Sequence, residues 1–94
     1  MQEVDFKPEL HVFICINDRN EETSCGPTIK HEDVKALKMW VVEKGLVGRV
    51  VCTRTGCLGF CNSEGGVIAM YPSGKFYKGL KNIDEIKELI EKTI

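Results

Sequence analysis

The sequence predicts an α/β domain on a four-stranded mixed sheet, with elements in the order β-α-β-β-β-α and helices covering the sheet. Three observations carry this. An apolar, β-favouring run at residues 10–16, a helical stretch and a second apolar strand at 49–53 make a β-α-β unit, whose right-handed crossover sets the two strands parallel. Two further β-favouring runs, 67–71 and 75–78, flank Pro72-Ser73-Gly74 and form an antiparallel hairpin. An amphipathic helix over residues 83–93 follows.

Residues 1–9 are polar, end on Lys7-Pro8-Glu9, and form a lead-in. The nearly continuous apolar run 10–16 suits a central strand covered on both faces. Residues 17–24 are wholly polar and read as a surface loop, ended by Gly26-Pro27. The first helix spans roughly 28–44. Val34, Leu37 and Val41 fall at i, i+3 and i+7, Ala36 and Trp40 widen the stripe, and Met39 and Trp40 read as partly buried packing. Gly45 is placed to cap this helix, with Lys44 in its last turn. Glu64-Gly65-Gly66 turns the chain towards the third strand. Pro72-Ser73-Gly74 predicts a type I turn, with proline second and glycine fourth. Asn82 caps the last helix and Glu85 completes a capping-box-like pattern, with Ile83, Ile86, Leu89 and Ile90 as the buried stripe.

Ninety-four residues suffice for one domain, 1–94, with a single core. A formal net charge of −1 with mixed signs leaves no clustered basic footprint for nucleic acid and gives no strong steering of a charged partner. No apolar run approaches membrane-spanning length. The polar start, Met1-Gln2-Glu3-Val4-Asp5, is not a secretory signal. Five cysteines is an odd count, so reduced thiols or metal ligation are expected rather than a disulfide framework, and the chain reads as cytoplasmic.

Three of the five cysteines lie in Cys52-Thr-Arg-Thr-Gly-Cys57-Leu-Gly-Phe-Cys61, where the second strand runs out into a loop. Cys57 and Cys61 make a Cys-x3-Cys pair able to bind one metal centre, and Gly59 between them tolerates a tight wrap. A four-thiolate centre needs two more ligands, and Cys15 and Cys25 are available. Cys25 sits in polar surroundings before a helix N-terminus, where the dipole favours a thiolate. Cys15 ends a strand, so its claim rests on the need for a fourth ligand. Cys52 lies inside an apolar strand and reads as a small buried hydrophobe. Structural zinc prefers two close cysteine pairs, whereas nine residues separate Cys15 from Cys25. The plant-type and two-cluster bacterial ferredoxin spacings are absent, and His11 and His31 stand in no Cys-x-His unit. Spacing alone therefore gives a four-cysteine metal centre and does not name the metal.

Several phrases resemble the thioredoxin-like [2Fe–2S] ferredoxins, small bacterial proteins with a cousin domain in a complex I subunit. These are His11-Val-Phe-Ile-Cys15, Ser24-Cys25-Gly26, Thr53-Arg-Thr-Gly-Cys57-Leu-Gly-Phe-Cys61, and Val67-Ile-Ala-Met-Tyr71-Pro72 with Tyr77. The loop between the first two cysteines is shorter here than in the free-standing ferredoxins and longer than in the complex I relative. The resemblance implies a thioredoxin-like fold, a [2Fe–2S] cluster on Cys15, Cys25, Cys57 and Cys61, and a one-electron carrier rather than an enzyme. It also implies redox-partner proteins and, since the family tends to dimerise, a homodimer. Leu58 and Phe60 would either line the contact face or shield the cluster. Asp18, Arg19, Glu21 and Glu22 would offer partner-specific side chains. Two other classes stand beside this reading. A thiol–disulfide enzyme would need a Cys-x-x-Cys pair, which is absent. A zinc-bearing structural or interaction module would be colourless.

Overall fold

In the computed structural model, residues 1–16, 29–56 and 66–94 are described. They form β1 (Leu10–Cys15), α1 (His31–Glu43), β2 (Val50–Thr55), β3 (Gly66–Tyr71), β4 (Lys75–Leu80) and α2 (Ile83–Thr93). The sheet order is β2-β1-β3-β4, with β1 and β2 parallel and the other pairs antiparallel. This is the α/β mixed sheet expected, with β1 in an interior position.

Strand alternation sorts the core. Leu10, Val12 and Ile14 of β1, Val50 and Cys52 of β2, and Ile68 and Met70 of β3 join Val34, Leu37 and Val41 of α1 and Ile86 and Ile90 of α2 in one buried cluster. Both helices therefore pack on the same face of the sheet. The uniform apolar run of β1 suggested cover on both faces, and the structure corrects this. On the opposite face His11 and Phe13 are only half-buried, and Tyr71 and Phe76 are 43% and 48% exposed. Aromatic rings do there what a helix would do. His11 stacks on Phe13 at 4.1 Å between centroids, Phe13 meets Tyr71 edge-on at 5.7 Å, and Phe6 of the lead-in meets His11 edge-on at 6.1 Å.

The helix ends follow their local chemistry. Gly45, at φ +70°, closes α1: its N–H donates to the Val42 carbonyl at 3.1 Å, and Leu46 N–H donates to the Val41 carbonyl at 3.0 Å, a Schellman arrangement. The helix starts at His31 with Lys30 as N-cap, so of the expected start at 28 the first residue lies outside the described residues and the next two are not helical. Ala36 and Met39 point to solvent, Met39 at 65% exposure, whereas Trp40 packs against the core as expected. Val34, Leu37 and Val41 are the buried line of the helix. In α2, Asn82 Oδ1 accepts from Glu85 N at 3.3 Å. Glu85 Oε2 reaches back to Lys81 N at 3.3 Å, one residue before the position a capping box would use.

Two strands outrun their sequence limits. β2 continues to Thr55, because its ladder with β1 holds in register to the Cys15–Thr55 pair. β4 reaches Leu80 through a register shift opposite Gly66–Ile68, with Gly79 at φ +79°. The β3–β4 reversal is not the expected type I turn. Gly74 N donates to the Met70 carbonyl at 2.8 Å, Ser73 Oγ donates to the same oxygen at 3.2 Å, and the Tyr71–Pro72 peptide is cis.

Candidate metal centre

Cys15 is the last residue of β1 and is fully buried. Alternation puts it with His11 and Phe13, on the face away from the helices. Its buried neighbour is Val67 rather than the main core. The sheet holds three chain ends around it. Ile16 N donates to the Thr55 carbonyl at 3.0 Å, which keeps the ends of β1 and β2 level. Thr55 Oγ1 donates to Gly56 O at 2.8 Å as β2 runs out. On the other side of β1, Ile14 pairs with Ile68, so β3 begins beside Cys15. Ile29 touches the same corner: a Cβ on Gly66 would lie 2.8 Å from its Cγ1.

Residues 16 and 29 and residues 56 and 66 are the described ends of the two stretches that carry Cys25, Cys57 and Cys61. Register and contact bring those ends to one end of the sheet, where Cys15 sits. Cys25, Cys57 and Cys61 themselves lie outside the described residues, as do Leu58, Phe60, Asp18, Arg19, Glu21 and Glu22. Four cysteine thiolates are a donor set of the kind that iron–sulfur centres use. Among the described residues, no three His, Cys, Asp or Glu side chains gather closely enough to hold a metal ion.

Cys52 is elsewhere. It belongs to the helix-side core at 6% exposure, and burial pushes its thiol up to about 11, an effect the Lys38 ammonium opposes. It is a packing residue, as the strand context predicted. His31 is exposed at the first position of α1. His11 is more engaged than an ordinary strand residue: its Nε2 lies 2.8 Å from Thr53 Oγ1 across the parallel pair, and burial holds its imidazole below the ordinary value. The sequence signal for that pair was present, a histidine and a threonine on adjacent strands, but register was needed to match them. No helix among the described residues is long and apolar enough to cross a membrane.

No protein-family model matches the chain, and no curated protein sequence matches it. Solved structures do. The wild-type thioredoxin-like [2Fe–2S] ferredoxin from Aquifex aeolicus is similar at 30% identity and a TM-score of 0.73, over 92% of this chain and 85% of that one. Another structure of a thioredoxin-like [2Fe–2S] ferredoxin from the same organism gives 30% identity and 0.74, over 92% and 80%. A cysteine-to-serine variant of that ferredoxin gives 30% and 0.72, over 88% and 84%. Identity at this level over most of both chains, on a mixed sheet of the expected order, decides the assignment: the chain belongs to the thioredoxin-like [2Fe–2S] ferredoxins.

Proposed function

We propose that this protein is an electron carrier that holds a [2Fe–2S] cluster on Cys15, Cys25, Cys57 and Cys61. The observation that carries the reading is the convergence at one sheet end of Cys15 with the ends of both stretches bearing the other three cysteines. When bound, such a cluster accepts and releases one electron. The chain's own part is to hold the ligands and leave the chemistry to the cofactor. β1 fixes Cys15 from below through its ladders to β2 and β3, and Val67 closes the side of the thiol. Cys57 follows Thr55 by two residues, so the strand that aligns with Cys15 also delivers the tight pair. The protein does no bond chemistry of its own on this reading. Reduced thiols suit the cytoplasm as its compartment.

The partners are redox proteins and, on the same proposal, a second copy of the chain. The face away from the helices supports the second copy. Its central side chains, Phe13, Ala69, Tyr71 and Phe76, carry no charge that would repel an identical face, and its exposed rings gain by leaving water. Phe76→Lys separates a dimer seated there. A chain that sediments as a monomer at all concentrations removes the second copy.

Iron, acid-labile sulfide and colour test the cluster. Equal iron and sulfide in a reddish protein, with one electron taken up from dithionite and an S = 1/2 EPR signal, support it. A colourless protein with stoichiometric zinc replaces it with a structural zinc module.

A further inference from the structure

The two edges of the sheet differ. β4 carries Lys75 and Lys78, a register shift and a glycine at φ +79°, the devices that blunt an edge. β2 has no such break. Its six residues run in unbroken parallel register with β1, and among the described residues no strand lies on its other side.

In a parallel ladder, alternate residues turn both backbone groups towards the neighbour. Leu10 N donates to Arg49 O and Ile16 N to Thr55 O, which fixes the phase. Val51 and Thr53 therefore face β1, while Val50, Cys52 and Arg54 face outwards. Val50 N is already used, donating to Leu46 O at 2.9 Å. Among the described residues, the Val50 carbonyl and both backbone groups of Cys52 and Arg54 meet no partner strand.

The side chains beside this edge define what that strand must carry. A groove of about 290 Å³ runs between α1 and β2, walled by Lys38, Val41, Val47, Val50 and Cys52. Val47 is 67% exposed, and Val42, one turn beyond Lys38, is 63% exposed. Lys35 lies one turn before Lys38, and Arg54 follows Cys52 on the same face of β2. Lys35, Lys38 and Arg54 are exposed, and among the described residues none of the three is in an ion pair. No carboxylate lines the groove among the described residues.

We propose that β2 is a docking edge for an extended acidic segment of a partner protein, which adds to the sheet as a further strand. Backbone pairing with Cys52 and Arg54 holds the segment. An apolar residue covers Val41 and Val47, and carboxylates meet Lys38 and Arg54. Cys57 follows the end of β2 by two residues in the sequence, so a segment docked on β2 lies beside the strand that leads into the cysteine-bearing stretch. As the surface for a redox partner, this rests on the electron-carrier reading. The binding itself does not.

The test uses the full chain as purified and a fluorescein-labelled hexapeptide, Val-Glu-Val-Glu-Val-Asp, with its glutamates and aspartate replaced by lysine as the control. Anisotropy should show binding of the acidic peptide alone, weakened at least tenfold by Lys38→Glu and again by Arg54→Glu. Hydrogen exchange should slow over residues 50–55 and not over 75–80. Raising salt should weaken binding to the unsubstituted chain, which serves if a variant fails to fold. Equal binding of the lysine peptide, protection elsewhere, or protection of 50–55 by self-association without peptide overturns the proposal. The visible spectrum of each variant separates the two readings. A colourless zinc protein that still takes the acidic peptide sinks the electron carrier and leaves the docking edge standing.

Discussion

Cys15 and Cys52 are the two cysteines among the described residues, both buried, and they lie on opposite faces of the sheet. Replacing either by alanine removes one sulfur atom from a packed site. Taking that sulfur as worth about one methylene, the transfer loss is about 0.8 kcal/mol, and the residual cavity brings the total to about 1–2 kcal/mol. With a urea slope of about 2 kcal/mol/M, each midpoint falls by about 0.5–1 M. The matched cost makes the spectra decisive. Cys52 sits in the helix-side core with its thiol pushed up to about 11 by burial, whereas Cys15 lies at the end of the sheet where the described ends of the cysteine-bearing stretches meet. Cys52→Ala is therefore expected to keep the visible spectrum, and Cys15→Ala to lose it. The assay is the ratio of visible to 280 nm absorbance after anaerobic purification, beside urea unfolding of each variant. A colourless Cys52→Ala, or a Cys15→Ala that stays coloured, refutes the ligand assignment. A coloured Cys52→Ala with an unchanged urea midpoint refutes the packing role instead.

Gly66→Ala should lower the melting temperature by an amount corresponding to about 1–3 kcal/mol, because its Cβ would meet Ile29 Cγ1 at 2.8 Å; an unchanged melting temperature means Ile29 does not wall that corner. Asn82→Ala should cost about 1 kcal/mol in urea unfolding through loss of the bond to Glu85 N, and wild-type stability would show the cap to be idle. His11 has a folded value below 6.5, so the unfolded chain binds the proton more readily. Its contribution is complete above about 6.5 and declines as pH falls below that. Melting between about pH 7.5 and 5.5 should fall more steeply for the wild type than for His11→Gln, and parallel profiles refute the assignment.

Much of the fold was legible because the local signals agreed. Val34, Leu37 and Val41 were spaced for one helix face, Ile86 and Ile90 for another, and Gly45 stood where a left-handed cap was needed. What was missed depended on register. The end of β2 does not read as strand in the sequence because the apolar run stops at Cys52, and the Cys15–Thr55 pairing shows only once β1 is laid alongside. Ala36 reads as widening the stripe and Met39 as partly buried, because periodicity cannot say how broad a surface the helix will meet. Of the candidate site, the cysteine pattern was legible and the meeting of chain ends around Cys15 was not, since it comes from the β1–β2 and β1–β3 pairings together.

The alternation within β1 explains why this sheet can serve as a carrier's frame. Leu10, Val12 and Ile14 go to the helices and supply the packing that holds the strand. His11, Phe13 and Cys15 go to the other face, which no helix covers among the described residues. A thiol in the first set is locked among core side chains, as Cys52 is. A thiol in the second set, at the strand's last position, is held by the same ladders but borders the chain ends rather than the core. On the proposed ligand set, one interior strand thus carries core residues on one face and a cluster ligand on the other. Changes in the helix-side core should move stability alone, and on that ligand set a change at Cys15 should move both stability and the cofactor.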